Sequence, residues 1–279
     1  MSITISAKEL SERIQSGKKQ TILAAMWYRN GRDGYSQFCS DHIPTALFCD
    51  TAAALSGLPS SENGRNPLPN LNLLNKWFSK WGISADRDIV VYDDHHGLFA
   101  ARAWWIFKWV GLSRVFILDG GQKAWEALGE ETLGGPGNLP GYREVLATGG
   151  HLPVATIEEV KAHTGLLIDA REPNRFAGRK EFLDLKAGHI PGAVNISTRS
   201  VLNADGTFKS AAQLQELFSQ AGINTAADVD NAIIYSGSGN HSAQVIAAMN
   251  IAGLGTPRHY IGGWSQWSAD PRNPVETGD

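Results

Sequence analysis

Residues 89–125 read IVVYDDHHGLFAARAWWIFKWVGLSRVFILDGGQKAW, and residues 232–267 read AIIYSGSGNHSAQVIAAMNIAGLGTPRHYIGGWSQW. Both follow one plan. An apolar run rich in β-branched residues ends in Tyr92 or Tyr235. A short loop and an apolar helix follow, closing at Gly111-Leu112 or Gly253-Leu254. A second apolar run then leads to a Gly-Gly pair with a Trp five residues after its first Gly, Gly120 to Trp125 and Gly262 to Trp267. From Gly111 to Trp125 the offset to the second copy is a constant 142 residues. Self-similarity on this scale marks a repeated structural unit.

Working outward, DHIPTALF starts at Asp41 and GHIPGAVN at Gly188. His42 precedes Tyr92 by 50 residues and His189 precedes Tyr235 by 46. A tandem duplication accounts for the order and the spacing. The segment 134–152, GGPGNLPGYREVLATGGHL, is rich in Gly and Pro and lacks sustained periodicity, as a linker would. The expected organisation is a first domain over 1–133, a linker over 134–152 and a second domain over 153–279. A length of 279 residues suits two domains at about 100–200 residues each.

Composition narrows the function classes. Hydrophobic residues make up 42%, so a substantial core can form. The 25 Lys and Arg against 28 Asp and Glu leave a net charge of −3, which points to neither a nucleic-acid groove nor a polybasic membrane surface. Two cysteines, Cys39 and Cys49, exclude a disulfide framework and a Cys-rich zinc site. The N-terminus MSITISAKELSERIQ lacks a basic segment followed by an apolar one, and no apolar run reaches the ~20 residues of a membrane span. The expectation is a cytoplasmic protein, a monomer or weak dimer.

Strands alternate with helices in each half. ADRDIVVYD, VFILDG, GLLIDA and DNAIIYS read as buried parallel strands, and NLLNKWFSKWGI and SAAQLQELFSQAGI as amphipathic helices ending in Gly, the second capped by Ser210. That pattern predicts an α/β fold: two similar domains, each a mainly parallel sheet flanked by helices. Ligands of such sheets gather beyond the carboxyl ends of the strands, which directs attention to the loops after Tyr92 and Tyr235.

The second loop reads Ser236-Gly237-Ser238-Gly239-Asn240-His241-Ser242, with a helix expected from about Ala243 to Asn250. Read alone, it is first of all a tight glycine turn without chemistry. Its glycines also let successive N–H groups curl inward as an anion nest, and the following helix adds its positive end. A thiolate at 236 would be stabilised there; Ser236 is a weak nucleophile unless a base activates it. The segment fits neither G-x-S-x-G nor a P-loop.

The repeat, the two H-I-P segments and this loop together resemble the tandem rhodanese-type sulfurtransferases, the thiosulfate and 3-mercaptopyruvate sulfurtransferases. The motifs that carry the resemblance are G-H-I-P-G-A at 188–193, D-A-R at 169–171 with R-F at 175–176, Y-x-G-S-G at 235–239 and G-G-W-S-Q-W at 262–267, with Y-D-D and A-A-R-A-W-W in the first half. The resemblance implies a non-catalytic first domain and a second domain whose loop cysteine carries sulfane sulfur as a persulfide. It implies a small anionic sulfur donor, a thiol or cyanide acceptor and no cofactor or metal.

At the decisive position this chain has Ser236, which can neither ionise readily nor form a labile sulfur–sulfur bond. Two readings follow: a Cys→Ser variant of an active enzyme, or a natural pseudo-enzyme that binds an anion or a partner. The match at both glycines and Ser238 favours the first. Cys39 and Cys49 read as small packing residues rather than substitute nucleophiles.

The resemblance further makes Arg175 the binder of the donor's anionic group, and places Gly237, Ser238, Gly239, Asn240, His241 and Ser242 around it. Gly237-Ser238 stands where the vertebrate thiosulfate type carries basic residues, which is closer to the mercaptopyruvate type. A second substrate arginine has no clear match; Arg179 and Lys180 are the nearby candidates. Asn66, in Arg65-Asn66-Pro67, replaces a histidine expected to face the site. His42 and His189 are expected to fix their turns, and Asp93 occupies the nucleophile position of the first half.

Overall fold

The computed structural model describes residues 2–28, 33–84, 86–137 and 146–278. Residues 138–145 of the expected linker lie outside the described residues. The chain divides into two compact units, Met1–Ser56 with Pro69–His151 and Ala204–Thr207, and Gly57–Leu68 with Leu152–Asn203 and Phe208–Asp279. Two short segments thus pack outside the half in which they lie in sequence.

In the first unit the strands are β1 (Thr4–Ile5), β2 (Gln20–Met26), β3 (Leu47–Asp50), β4 (Asp88–Tyr92) and β5 (Val115–Leu118). They form one parallel sheet in the order β1-β5-β4-β2-β3. Every residue of β4 is buried, as a central strand covered on both faces requires. The second unit has β6 (Leu167–Asp169), β7 (Ala193–Asn195), β8 (Ile233–Tyr235) and β9 (Arg258–Tyr260), parallel in the order β7-β6-β8-β9. A single parallel bridge from Val154 to His259 lies beside β9, where β1 lies beside β5 in the first sheet. The α/β expectation holds, and the two sheets share one strand order.

The repeated motifs perform repeated tasks. His42 Nδ1 lies 2.8 Å from Phe38 O and stacks on the Phe38 ring; His189 Nδ1 lies 2.8 Å from Phe176 O and stacks on Phe176. The next residues, Ile43 and Ile190, each donate their N–H to a buried tyrosine hydroxyl, Tyr92 and Tyr235 respectively, at 3.1 Å. The H-I-P turn is thereby tied to the central strand in both units. Each apolar helix closes by one motif: Leu112 N–H reaches Phe107 O and Leu254 N–H reaches Met249 O, around Gly111 and Gly253 at positive φ.

The expected elements lie close to the observed ones, with one informative difference. The helix after Tyr235 runs Asn240–Ile251 and so begins three residues earlier than expected. Gly239, at φ +85°, turns the chain straight into it, as Gly97 at φ +81° does before the helix Leu98–Trp109. Asn240, His241 and Ser242 are first-turn helix residues rather than loop residues. Among the described residues, no helix is long and apolar enough to cross a membrane.

Candidate active site

Each unit ends its central strand in the same kind of turn, and the first shows what that turn can hold. Asp93 follows β4 with its side chain fully buried. Its carboxylate accepts four backbone N–H groups, from His95 (2.8 Å), Gly97 (2.8 Å), Phe99 (2.7 Å) and Ala100 (2.9 Å). Burial pushes the Asp93 carboxyl up, and the four amides pull it back down without cancelling the effect. The turn plus the first turn of the helix therefore form an anion cradle, and the first unit fills it with its own side chain.

In the second unit the same place is held by Ser236, also fully buried. Its Oγ accepts the Gly239 N–H at 3.1 Å. Gly263, at φ +56°, covers the turn closely: a Cβ there would lie 2.2 Å from Ser236 O, which also accepts the Trp264 N–H at 2.8 Å. Gly121 stands in the same relation to Asp93 O in the first unit, at 2.3 Å. The two Gly-Gly-x-x-x-Trp segments hold their loops in place, and any side chain on the second glycine would displace them.

Behind Ser236 lies a buried polar chain that the sequence does not announce. Ser236 Oγ is 3.1 Å from Ser242 Oγ, and Ser242 Oγ is 2.6 Å from His259 Nε2. All three residues are fully buried. Ser242 reads as one more polar residue of the loop and His259 as part of a strand; the fold brings them together. His241, next on the helix and half-buried, has its imidazole pushed down to about 4, first by burial and then by Arg175, with Arg171 and Arg65 adding to it.

In front of the loop stand two guanidinium groups. Arg175 Nη2 donates to Glu181 and to Asp184 Oδ2, each at 2.8 Å. Arg65 Nη1 donates to the other oxygen of Asp184. Glu181 is fixed by the N–H groups of Phe182, Leu183 and Asp184, and its carboxyl is held below the usual range: Arg175 and these amides outweigh burial. Asn66 Nδ2 donates to Ser238 Oγ at 2.8 Å, so this amide serves as a loop clamp. Arg171 is buried, paired with Asp169 at 2.6 Å and lying over the Trp264 ring at 4.6 Å, so Trp264 forms the floor of this ion pair.

Of the residues singled out in the sequence, the structure gathers Ser236, Gly237, Ser238, Gly239, Asn240, His241, Ser242, Asn66 and Arg175 around one turn. Arg179 and Lys180 are both exposed, and the Lys180 ammonium lies over the Phe182 ring. Arg65, Glu181, Asp184 and His259 were missed; only their three-dimensional neighbours mark them. Cys49 is buried with its thiol pushed well up by burial, and Cys39 is half-buried; both belong to the first unit. Among the described residues no cluster of His, Cys, Asp and Glu could hold a metal ion.

Comparison with known proteins agrees with this geometry. Residues 6–128 and 155–270 each match the rhodanese-like domain. A Mycobacterium tuberculosis protein provisionally named thiosulfate sulfurtransferase SseB is 37% identical over 281 residues, covering 99% of this chain and 97% of that one. A Pseudomonas aeruginosa protein provisionally named 3-mercaptopyruvate sulfurtransferase is 35% identical over 283 residues, covering 99% and 98%. The solved structure of SseA from Escherichia coli, a 3-mercaptopyruvate sulfotransferase, superposes with a TM-score of 0.82 at 27% identity, over 95% of this chain and 100% of that one. With two matched copies along its length and sulfurtransferases as its relatives, the chain belongs to the rhodanese family of sulfurtransferase enzymes.

Proposed function

We propose that the turn after β8 is the sulfur-carrying site, that residue 236 is the position that bears the sulfur, and that the chain with Ser236 transfers none. The observation that carries this is the pair of cradles. Four amides close on the Asp93 carboxylate in the first unit, and in the second the matching turn presents residue 236 to the amide of Gly239 and the start of a helix. A thiolate there would accept the Gly239 amide and lie at the positive start of the helix.

With a cysteine at 236, the thiolate attacks the outer sulfur of thiosulfate. The sulfur–sulfur bond of the donor breaks and sulfite leaves with the electron pair. With 3-mercaptopyruvate the carbon–sulfur bond breaks instead, and the enolate of pyruvate leaves and takes up a proton. The resulting persulfide gives its terminal sulfur to a thiol or cyanide, and the thiolate is restored. Ser236 fails at the first step, because an alcohol of ordinary acidity does not ionise in such a cradle. No cofactor enters this scheme. The residues assigned to the donor are Arg175, Asn66, the loop 237–242 and, nearby, Arg179, in a cytoplasmic two-domain protein divided at 134–152.

The test is Ser236→Cys. That variant should form a cyanolysable persulfide with thiosulfate or 3-mercaptopyruvate, one sulfur per chain, while the Ser236 chain forms none. If neither donor loads the variant, the assignment falls. A second reading, a natural anion- or partner-binding module, draws on the Ser236–Ser242–His259 chain, whose hydrogen bonds suit an oxygen at 236. The native codon at 236 separates the two: a serine codon supports the module, a cysteine codon the enzyme.

A further inference from the structure

We propose that Arg65 is the second anion-binding guanidinium of this site, and that Arg65 and Arg175 together select a donor carrying one carboxylate over a dianion. The proposal deepens the reading of the loop as a donor site and rests on it. It begins at Gly237, the residue after Ser236. A Cβ at Gly237 would lie 2.9 Å from Arg65 Nη2 and 3.4 Å from Arg175 Nη1. Arg65 Nη2 therefore crowds the place a side chain at 237 would take, and Arg175 Nη1 borders it. From the sequence, Gly237-Ser238 means that the loop lacks cations. In the fold, a cation returns to the same place from 172 positions upstream.

The placement is built rather than incidental. Asp184, with its side chain 3% exposed, takes Arg65 Nη1 on one oxygen and Arg175 Nη2 on the other, pinning the two forks together. Their remaining ends, Arg65 Nη2 and Arg175 Nη1, are the ones that lie against Gly237. The backbone under Arg65 is fixed as well: its N–H donates to Ser265 Oγ at 3.0 Å, and the Asn66 amide holds Ser238. Planar forks held in this way offer paired N–H donors to a planar carboxylate.

The charge count sets the selectivity. Arg65 and Arg175 are matched by Glu181 and Asp184, so the side chains in front of the loop sum to zero. A monoanion leaves one negative charge for the cradle amides and the helix end to offset; a dianion leaves two. Donor geometry without surplus charge favours the carboxylate of an α-keto acid over thiosulfate.

The experiment uses the chain with Ser236, which can bind a donor without consuming it. Pyruvate and thiosulfate are titrated at fixed ionic strength, with the backbone amide resonances of Gly237 and Gly239 as the readout and thermal melting as the folding control. Pyruvate should bind more tightly than thiosulfate. Arg65→Gln should weaken pyruvate binding about tenfold or more, the scale of one charge-assisted hydrogen bond. Arg65→Lys should recover part of the loss, and Asp184→Asn, which leaves one surplus positive charge, should move the ratio toward thiosulfate. If Arg65→Gln binds pyruvate as the parent does while Arg175→Gln does not, Arg65 is structural and the proposal fails. Thiosulfate binding as tightly as pyruvate in the parent also overturns it. If the parent binds neither anion, the proposal is lost; sulfur loading of Ser236→Cys then tells whether the donor-site reading falls with it.

Discussion

His241 makes the electrostatics of the site measurable without any substrate. It is the second residue of the helix Asn240–Ile251, close to the positive helix end, and a charge on its ring is opposed first by desolvation and then by Arg175, with Arg171 and Arg65 adding to it. Its imidazole is pushed from 6.5 down to about 4. Between those values the unfolded chain binds a proton that the native chain refuses, so native stability rises with pH across that window. The contribution is complete above pH 6.5 and is lost as the pH falls toward 4. At about 1.4 kcal/mol per tenfold change in proton affinity, the loss on acidification is at most about 3.5 kcal/mol. Urea unfolding of the parent and of His241→Gln at a series of pH values from 7 to 4.5 isolates it, because every other group titrates in both. The parent should lose stability faster than the variant as the pH falls, by about 2 kcal/mol over this range. Parallel curves, or a His241 ring resonance with its midpoint near 6.5, would refute the account of an imidazole kept neutral by desolvation and nearby guanidinium charge.

Two further outcomes test the fold. Tyr92→Phe and Tyr235→Phe each remove the acceptor of a buried N–H, that of Ile43 or Ile190, so each should cost about 1–3 kcal/mol in urea unfolding; a cost in one copy and none in the other would contradict the shared role of the H-I-P turn. Asp88 is buried, which alone would raise it, yet Lys18 and Arg114 hold its carboxyl below the ordinary range. Its contribution to stability is present above about pH 4 and is lost as the pH falls through its lowered value, so unfolding measured from pH 5 to 2 should be less steep in Asp88→Asn than in the parent.

The fold could be read from the sequence because its decisive signals are local and occur twice. Four apolar runs, two Gly-Leu helix stops and two H-I-P turns each report a nearby backbone event, and the copies check one another. The start of the helix at Asn240 escaped because polar first-turn residues have the composition of a loop; the φ of Gly239 decides the matter, and glycine does not reveal its φ in sequence. The site was legible only where short motifs mark it. Ser236, the two glycines and Arg175 sit in recognisable motifs, whereas Arg65, Asp184 and His259 act through contacts across many residues of sequence. Arg65 lies in a segment expected to face the site, but nothing in sequence marks it as a binding residue until Asp184 and Gly237 are seen beside it. His259 reads as a strand residue until Ser242 lies 2.6 Å away.

On the proposed reading, the duplication also accounts for chemistry in one unit and not in the other. Both units tie an H-I-P turn to a strand tyrosine, and both press a glycine against the carbonyl of the residue that opens the loop. They differ at that residue. Asp93 brings two oxygens and satisfies four amides from within, so an external anion would have to displace a buried carboxylate. Ser236 brings one oxygen, shorter by an atom, and engages the Gly239 amide and the Ser242 hydroxyl. The shorter side chain accepts one backbone amide where Asp93 accepts four, and the guanidinium pair lies beside the second loop. The first unit has closed its anion site on itself. The proposed reading gives the second both the site and the means to recruit an anion to it, so on that reading a substitution at 236 changes what the site can do to a ligand more than whether it can hold one.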